Sequence, residues 1–403
     1  KEIPKVISNL DDSYLYIQGP PGTGKTYQAA NAIIELLKQN KKIAITGLSH
    51  KVIHNLLQRI EDMASEKQFE FEGYKRGTLE DDDTVFNGEY IKTYEKDPVF
   101  MDALKELDKG QIFAGTKYHL ASSFYDEKID YLFIDETGQL SLADLISIGN
   151  IAKNIILIGD QNQLGQPIRG THPNESGQSI LDYLLEGKDT IPEDRGIFLN
   201  KTYRLNSKLN EFISSNFYEE RLICDERTDK RIIKFNKKLK IKDSGIHYIE
   251  MNHKNNVQTS IEEFEVIRDL MKEMIGLELD DEGKKRKLTV DDFLIISPYN
   301  TQVNLLISKL EESKIKNPRV GTIDKFQGQE APVTIISMTS SDSDSLPRNK
   351  EFFFSRNRLN VAISRAQVAS IILFNPNLLD SSPKNLDQIK LMNNFFKFLN
   401  YKI

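Results

Sequence analysis

Residues 18–26 read Gln-Gly-Pro-Pro-Gly-Thr-Gly-Lys-Thr, so Gly19, Pro20, Pro21, Gly22, Thr23, Gly24, Lys25 and Thr26 fill the pattern G-x-x-x-x-G-K-[ST]. Such a loop lets backbone N–H groups turn toward an anion. A helix that starts at its end adds a favourable partial positive charge. Lys25 has the reach for β- and γ-phosphates, and the Thr26 hydroxyl suits Mg²⁺. The expected cofactors are therefore a nucleotide and Mg²⁺. A second group, Asp135-Glu136, closes the apolar run Tyr131-Leu132-Phe133-Ile134. Asp135 would hold Mg²⁺ through its water shell, and Glu136 would orient the attacking water and accept its proton. No Asn-Lys-x-Asp is present, which argues against a GTPase, and no acceptor-substrate signature points to a kinase.

These residues need a frame. Tyr14–Ile17 is a short apolar strand before the loop, and after it Ala29, Ala30, Ile33, Ile34 and Leu37 recur at helical spacing. Lys42–Thr46, Gln111–Gly115, Tyr131–Ile134, Asn154–Ile158 and Gly196–Leu199 are predicted strands, with a helix over Lys51–Ile60. Apolar strands separated by helices imply a parallel sheet covered on both faces, with ligands beyond the carboxyl ends of the strands. Asp160, after the Asn154–Ile158 strand, also falls there. Residues 61–109 interrupt the rhythm and carry the acidic run Glu80-Asp81-Asp82-Asp83; they are expected to form a mostly helical insert with a solvated acidic face.

From about Asn200 the theme repeats. Strands are expected at Ile246–Ile249, Phe293–Ser297, Val320–Ile323, Val333–Ser337 and Ser370–Phe374, and helices at Thr259–Ile275, Thr301–Glu312 and Arg358–Ala366. The expected organisation is thus two α/β domains, 1–199 and 200–403. The basic stretches Lys230–Lys242 and Lys284–Lys287 either touch phosphates or are merely solvated, and Ser340–Ser345 reads as a Ser/Asp loop.

At 403 residues the chain exceeds what one core usually supports, in keeping with two domains. The net charge of −6 argues against indiscriminate nucleic-acid binding and confines any such site to a local patch. A single cysteine, Cys224, excludes an internal disulfide and a Cys-based metal cluster, which fits a reducing cytoplasm. No apolar run is long enough to span a bilayer, so no membrane partner is expected. The nucleotide loop stands only a short strand from Lys1, as in a module excised from a longer chain.

The motifs together resemble the superfamily 1 helicases, in particular the 1B branch that includes the nonsense-mediated-decay RNA helicase and the eukaryotic replication nuclease–helicase. Gly19–Thr26 resembles motif I, Ile43–Leu57 motif Ia, Ala114-Gly115-Thr116 motif Ic, and Asp135–Gln139 motif II, with Thr137 where Ala is common. Gly159–Leu164 resembles motif III and Thr202–Asn206 motif IV. Ser297–Gln302 is similar to the family's Thr-Pro-Tyr-x-x-Gln segment, Val320–Glu330 to motif V and Asn357–Ala366 to motif VI. The stretches Gln161–Pro173 and Phe352–Gln367 further resemble the helicase half of bacterial RecB-like nuclease–helicase fusions.

The resemblance implies two RecA-like P-loop domains forming an ATP-dependent translocase on single-stranded nucleic acid, moving 5′ to 3′. DNA is the expected substrate, because nuclease fusions are the nearest in pattern; RNA is the alternative. So is a nucleotide-switched clamp that binds nucleic acid or a partner without translocating. By resemblance Gln163 senses the γ-phosphate, Arg204 and Arg365 neutralise the transferring phosphoryl group, Tyr203 stacks on adenine and Glu330 binds the ribose. Ser49, His50 and Thr116 would contact the strand from the first domain, and Pro298, Tyr299 and Thr322 from the second. Hydroxyls and backbone N–H groups suit sequence-independent backbone binding. A nuclease domain, the adenine-binding Gln segment and a small barrel would precede Lys1.

Overall fold

The computed structural model describes residues 2–106, 109–165, 176–235, 241, 243–342 and 355–380, with 389 and 393. The sequence stretches Lys230–Lys242, Ser340–Ser345, Gln161–Pro173 and Phe352–Gln367 therefore lie partly outside the described residues. Two compact units divide the chain. The first takes Lys1–Pro20, Gly24–Gln161 and Gly165–Leu199. The second takes Asn200–Ile403 together with Pro21–Thr23 and Asn162–Leu164.

The first unit is built on an eight-stranded sheet. Its strands are β1 (Tyr14–Gln18), β2 (Lys42–Gly47), β3 (Glu72–Arg76), β4 (Ile91–Tyr94), β5 (Gln111–Ala114), β6 (Ile129–Asp135), β7 (Ala152–Gly159) and β8 (Gly196–Phe198). Their order is β4-β3-β5-β2-β6-β7-β1-β8, and every pairing is parallel. Alternation along each strand feeds two cores. Leu15, Ile17, Ile43, Ile45 and Phe133 pack with Ile33, Leu56 and Leu57 of the helices Lys25–Leu37 and His50–Glu66. Tyr16, Ala44, Leu132 and Leu157 pack with Phe100, Leu120, Ile148 and Leu181 on the opposite face. Both faces are covered, as all-parallel sheets require.

Residues 61–109 do not stand apart as a mostly helical insert. They hold the end of the helix His50–Glu66 and the helix Asp97–Lys105, but also β3 and β4, which extend the sheet on its far side. The strands escape a periodicity reading because they are short and polar: β3 reads Glu-Gly-Tyr-Lys-Arg. A side chain takes over part of what apolar burial does elsewhere. Glu61, 4% exposed, accepts from the backbone N–H groups of Glu89 (3.0 Å), Tyr90 (3.1 Å) and Ile91 (2.8 Å), and so seats the start of β4.

The second unit carries a five-stranded parallel sheet. Its strands are β12 (Gly245–Glu250), β15 (Phe293–Ile296), β16 (Val320–Gly321), β17 (Ala331–Ser337) and β18 (Ala366–Phe374), in the order β12-β18-β17-β15-β16. Phe293, Ile295, Val333, Ile335 and Ile371 form its core with Phe264, Ile267 and Met271 of the helix Ile261–Met274 and with Val303 and Leu306 of the helix Asn300–Glu312. The strand expected over Val320–Ile323 stops at Gly321, and Ile323–Phe326 turns as a 3₁₀ helix. Between β12 and β15 the sequence reading lacks a hairpin. β13 (Glu278–Asp281) and β14 (Lys284–Lys287) pair antiparallel, and β13 also pairs with β11 (Arg231–Ile233). Glu282 at φ 54° and Gly283 at φ 93° make the left-handed two-residue turn that such hairpins favour. The remaining strands, β9 (Lys201–Thr202) and β10 (Ile223–Cys224), form a parallel pair.

Glu61→Ala leaves three backbone donors without their acceptor and should lower the unfolding free energy by about 2–3 kcal/mol. Urea titration checks this, and a loss under about 0.5 kcal/mol would show that the β4 backbone is held by the sheet alone.

Candidate functional site

The glycine-rich loop leaves β1 at the carboxyl edge of the first sheet. Gly19 N–H donates to the carbonyl of Gly159 (2.9 Å), which ties the loop's start to the end of the neighbouring strand β7. Gly24, at φ 78°, caps the helix Lys25–Leu37, and Gly22 has φ 73°. Both are conformations in which an L side chain is strained. Lys25 Nζ folds back to donate to the Gly19 carbonyl at 2.6 Å, which places the ammonium over the loop, and Thr26 follows half-buried in the first helical turn. Pro21–Thr23 group with the second unit. There Thr202 Oγ1 donates to the Pro21 carbonyl (2.8 Å) and Tyr203 N–H to that of Gly22 (2.9 Å). A Cβ on Gly22 would stand 2.4 Å from the Arg204 Cβ, so glycine is required there twice over.

Asp135 ends β6 and Gly159 ends β7, the strand between β6 and β1. Asp135 is only 8% exposed. Burial, and then the adjacent Glu136, push its carboxyl up to about 7, against the pull of Lys25 and of the Glu136 N–H that it accepts at 2.9 Å. A buried carboxylate with so little compensation fits a divalent cation. Among the described residues no three His, Cys, Asp or Glu side chains gather to hold a metal. Mg²⁺ takes one or two protein ligands and fills its shell with phosphate and water. Asp135 and the Thr26 hydroxyl are the residues that would hold it.

Glu136 sits at φ 58°, ψ 42°, a left-handed conformation that costs a non-glycine residue about 1–2 kcal/mol. Next to it, Thr137 is fully buried and its hydroxyl donates to the Ile158 carbonyl at 2.9 Å. That bond accounts for a hydroxyl where the family pattern has a methyl. It is also why residue 159 must be glycine: a Cβ there would lie 2.6 Å from Thr137 Oγ1. Beyond Asp160, Gln161 Oε1 accepts from Gln18 Nε2 (3.0 Å) and from the Tyr16 hydroxyl (3.1 Å). Gln163 is 9% exposed, in a segment that belongs to the second unit; there Asn162 donates to Phe217 O and Asn360 to Asn162 O, both at 2.7 Å.

In the second unit Tyr203, Arg204, Glu330 and Arg365 come together, but not with four separate tasks. Arg204 Nε is ion-paired with Glu330 Oε2, and its NH1 donates to Ser364 O at 3.1 Å. Burial raises the Glu330 carboxyl, but Arg204 outweighs it and holds the group below its usual range, while Gln367 donates to its other oxygen at 2.8 Å. Glu330, expected at the ribose, is thus ion-paired with Arg204 in this structure. Arg365 is 4% exposed and its NH1 donates to Gln329 O at 3.3 Å. Tyr203 is 46% exposed, its ring flanked by Arg227 at 5.5 Å and Lys201 at 5.9 Å.

Among the residues expected to touch a strand, Ser49 caps the helix His50–Glu66, accepting from Val52 N at 3.4 Å, and is exposed. His50 and Thr116 line one cleft of about 340 Å³ with Arg76, Thr84, Asp97 and Tyr118. Lys75 beneath it is 0% exposed, and Tyr118 beside Thr116 is 81% exposed. Neither was singled out by sequence; the signal for Tyr118 was a bare aromatic two positions past a predicted strand-end threonine. In the second unit Pro298 is half-buried and Thr322 caps the 3₁₀ turn Ile323–Phe326. Tyr299, expected to contact the strand, is only 4% exposed, with Ser340 Oγ donating to its hydroxyl at 3.5 Å.

Comparison with known proteins finds relatives over most of the sequence. Residues 4–168 and residues 177–377 each match an AAA domain family. The chain is 29% identical over 395 residues to the DNA replication ATP-dependent helicase/nuclease dna2 of Schizosaccharomyces pombe, covering 92% of this chain and 27% of that protein. It is 25% identical to the DNA polymerase alpha-associated DNA helicase A of the same yeast, with 87% and 59% covered, and 26% identical to the ATP-dependent helicase NAM7 of Saccharomyces cerevisiae, with 90% and 40% covered. The chain belongs to the superfamily 1 helicases, a family of ATP-hydrolysing enzymes. It spans less than two thirds of the length of each of these relatives.

Glu136→Gly removes the left-handed strain along with the carboxylate. Its unfolding free energy should be unchanged or higher by up to about 1 kcal/mol. An unfolding free energy from denaturant titration that falls by more than about 1 kcal/mol would mean that the backbone at 136 is not strained.

Proposed function

We propose that this chain is an ATP- and Mg²⁺-dependent translocase that moves 5′ to 3′ on single-stranded DNA and unwinds duplex ahead of it. The observation that carries the reading is the shared carboxyl edge of β1, β7 and β6, where the glycine-rich loop, Lys25 and the Asp135–Glu136 pair converge. Lys25 and the loop amides bind the phosphates. Thr26 and Asp135 would hold Mg²⁺, which would supply positive charge to offset the triphosphate. Glu136 orients the attacking water and takes its proton, and the left-handed backbone fixes where that carboxylate points. Gln163 reads the γ-phosphate. Arg204 and Arg365, contributed by the second unit, neutralise the phosphoryl group in flight. We assign Glu330 to holding Arg204, and the exposed Tyr203 ring to the adenine face. Alternate closing and opening of the two units with each ATP would move the strand past Ser49, His50, Thr116, Pro298 and Thr322.

DNA is preferred because the relatives that match 92% and 94% of this chain are named as DNA replication ATP-dependent helicase/nucleases. A Drosophila relative named as a probable RNA helicase, 28% identical over 62% of this chain, favours RNA as the second reading. A nuclease domain elsewhere in the whole protein belongs to the same proposal.

Steady-state ATPase with and without single-stranded DNA or RNA tests the reading. The preferred polymer should stimulate turnover, increasingly with strand length. Equal turnover at all lengths would favour a clamp over a translocase. Lys25→Ala and Glu136→Gln should abolish turnover, with Glu136→Gln still binding ATP. Arg365→Ala should lose about 10³-fold or more in hydrolysis while retaining ATP binding. Loss of ATP binding with the chemistry intact would remove Arg365 from its role.

A further inference from the structure

We propose that the cleft between His50 and Tyr118 is a one-nucleotide subsite for single-stranded nucleic acid. His50 Nε2–H donates to a backbone phosphate, the Tyr118 ring stacks on the adjoining base, and buried Lys75 fixes the His50 tautomer as a positioning residue. The inference rests on the nucleic-acid reading above and deepens it.

Lys75 has no solvent exposure, and all three of its near neighbours are acceptors or potential acceptors. Nζ lies 2.7 Å from the Arg76 carbonyl, 2.5 Å from the Thr84 carbonyl and 2.7 Å from His50 Nδ1. An ammonium has three hydrogens and no lone pair, so every one of these contacts is a donation from lysine. His50 Nδ1 is therefore the acceptor, and the ring's hydrogen must be on Nε2. Among the described residues nothing accepts from Nε2, and the ring lines the open cleft. The outcome is a neutral donor of fixed direction facing a solvent-filled groove, with a buried positive charge behind it. Burial and then Lys75 hold the His50 pKa below the ordinary histidine value, so the ring remains a neutral single donor.

Tyr118 completes the subsite. It is 81% exposed, on the short helix Lys117–Leu120 directly after Thr116, and it lines the same cleft as His50. Lys117 Nζ lies 5.3 Å from its ring and is itself anchored to Asp144 at 2.6 Å, which limits the ring's freedom. A large bare aromatic is costly in water and is the ordinary platform for an unstacked base. Arg76 on the cleft wall is ion-paired with Asp97 at 3.2 Å, so its charge is already offset and the phosphate falls to His50.

The pair also has a defined pH response. Burial pushes Lys75 down to about 8, against a small opposing effect of Asp81. The other titratable groups around it are His54 of the same helix, and Arg76, Asp97 and His119 along the cleft. Above about pH 8 a neutral Lys75 amine accepts from Nδ1–H, the ring hydrogen leaves Nε2, and the phosphate contact is lost.

Fluorescence anisotropy with the 403-residue chain would use a labelled oligothymidylate of about 12 nucleotides and an abasic oligomer of equal length. Tyr118→Ala should weaken the thymidylate about tenfold and leave the abasic oligomer unchanged. His50→Asn should weaken both oligomers, and His50→Gln, which keeps an N–H near the Nε2 position, should restore them. Wild-type affinity should fall several-fold above about pH 8, and Lys75→Met should be weak and without that fall. The half-exposed His50 pair keeps the test decisive even where Lys75→Met does not fold. Tyr118→Ala affecting both oligomers alike or neither, or His50→Asn and His50→Gln behaving alike, would overturn the subsite while leaving the nucleic-acid reading in place. Failure of the wild type to bind either oligomer would overturn both.

Discussion

The strand β7 lies between the strand that delivers the phosphate loop and the strand that delivers the carboxylates, and it is bonded to both along their lengths. Its last residue accepts from Gly19 N–H, and the backbone just before it accepts from the Thr137 hydroxyl. The distance between loop and carboxylates is therefore set by two ladders of main-chain hydrogen bonds rather than by flexible side chains. A slip of one residue in β7 would reverse both its faces and move both partners at once. The absence of a Cβ at Gly159, where Thr137 passes at van der Waals limits, lets the three segments meet this closely.

Charge in the second unit follows a different logic from that in the first. Asp135 is held nearly uncompensated at its strand end, which suits a cation that arrives with substrate. Arg204 is held by a carboxylate, a carbonyl and a neighbouring backbone whose own carbonyls at 203 and 204 accept from Arg231. Arg231 is in turn braced by Asp281 and Glu282 of the β13–β14 hairpin. A guanidinium supported in this way has little rotamer freedom left to lose when a phosphate approaches.

Most of the candidate site was legible in the sequence because it is written in residues that tolerate few substitutes: the glycines of the loop, Lys25, and the paired acids after an apolar run. The strands that carry them were legible because they are buried on both faces and hence continuously apolar. What escaped reading was held by polar side chains. β3 and β4 look like loop because their pairing is supported by Glu61 and by a lysine buried inside a strand. Tyr299 was expected to contact the strand on the strength of its position in a motif, and its burial at 4% exposure could not be read from that position. The Arg204–Glu330 pair joins residues 126 positions apart, and neither periodicity nor spacing can report such a contact.

The seating of β4 by one carboxylate has a dynamic consequence. β3 and β4 lie at one end of the sheet, where β3 pairs with β5 and β4 is seated by Glu61. Such a margin opens as one cooperative piece, below the free energy of global unfolding, and its amides should exchange with solvent together. Lys75 travels with that piece, while His50 stays on a helix packed against the main sheet. Each opening would free the histidine ring to take either tautomer, so that the edge's local stability sets how long one wall of the cleft keeps its shape. A strand occupying the cleft would in turn slow the exchange of β3 and β4, although it touches only their border.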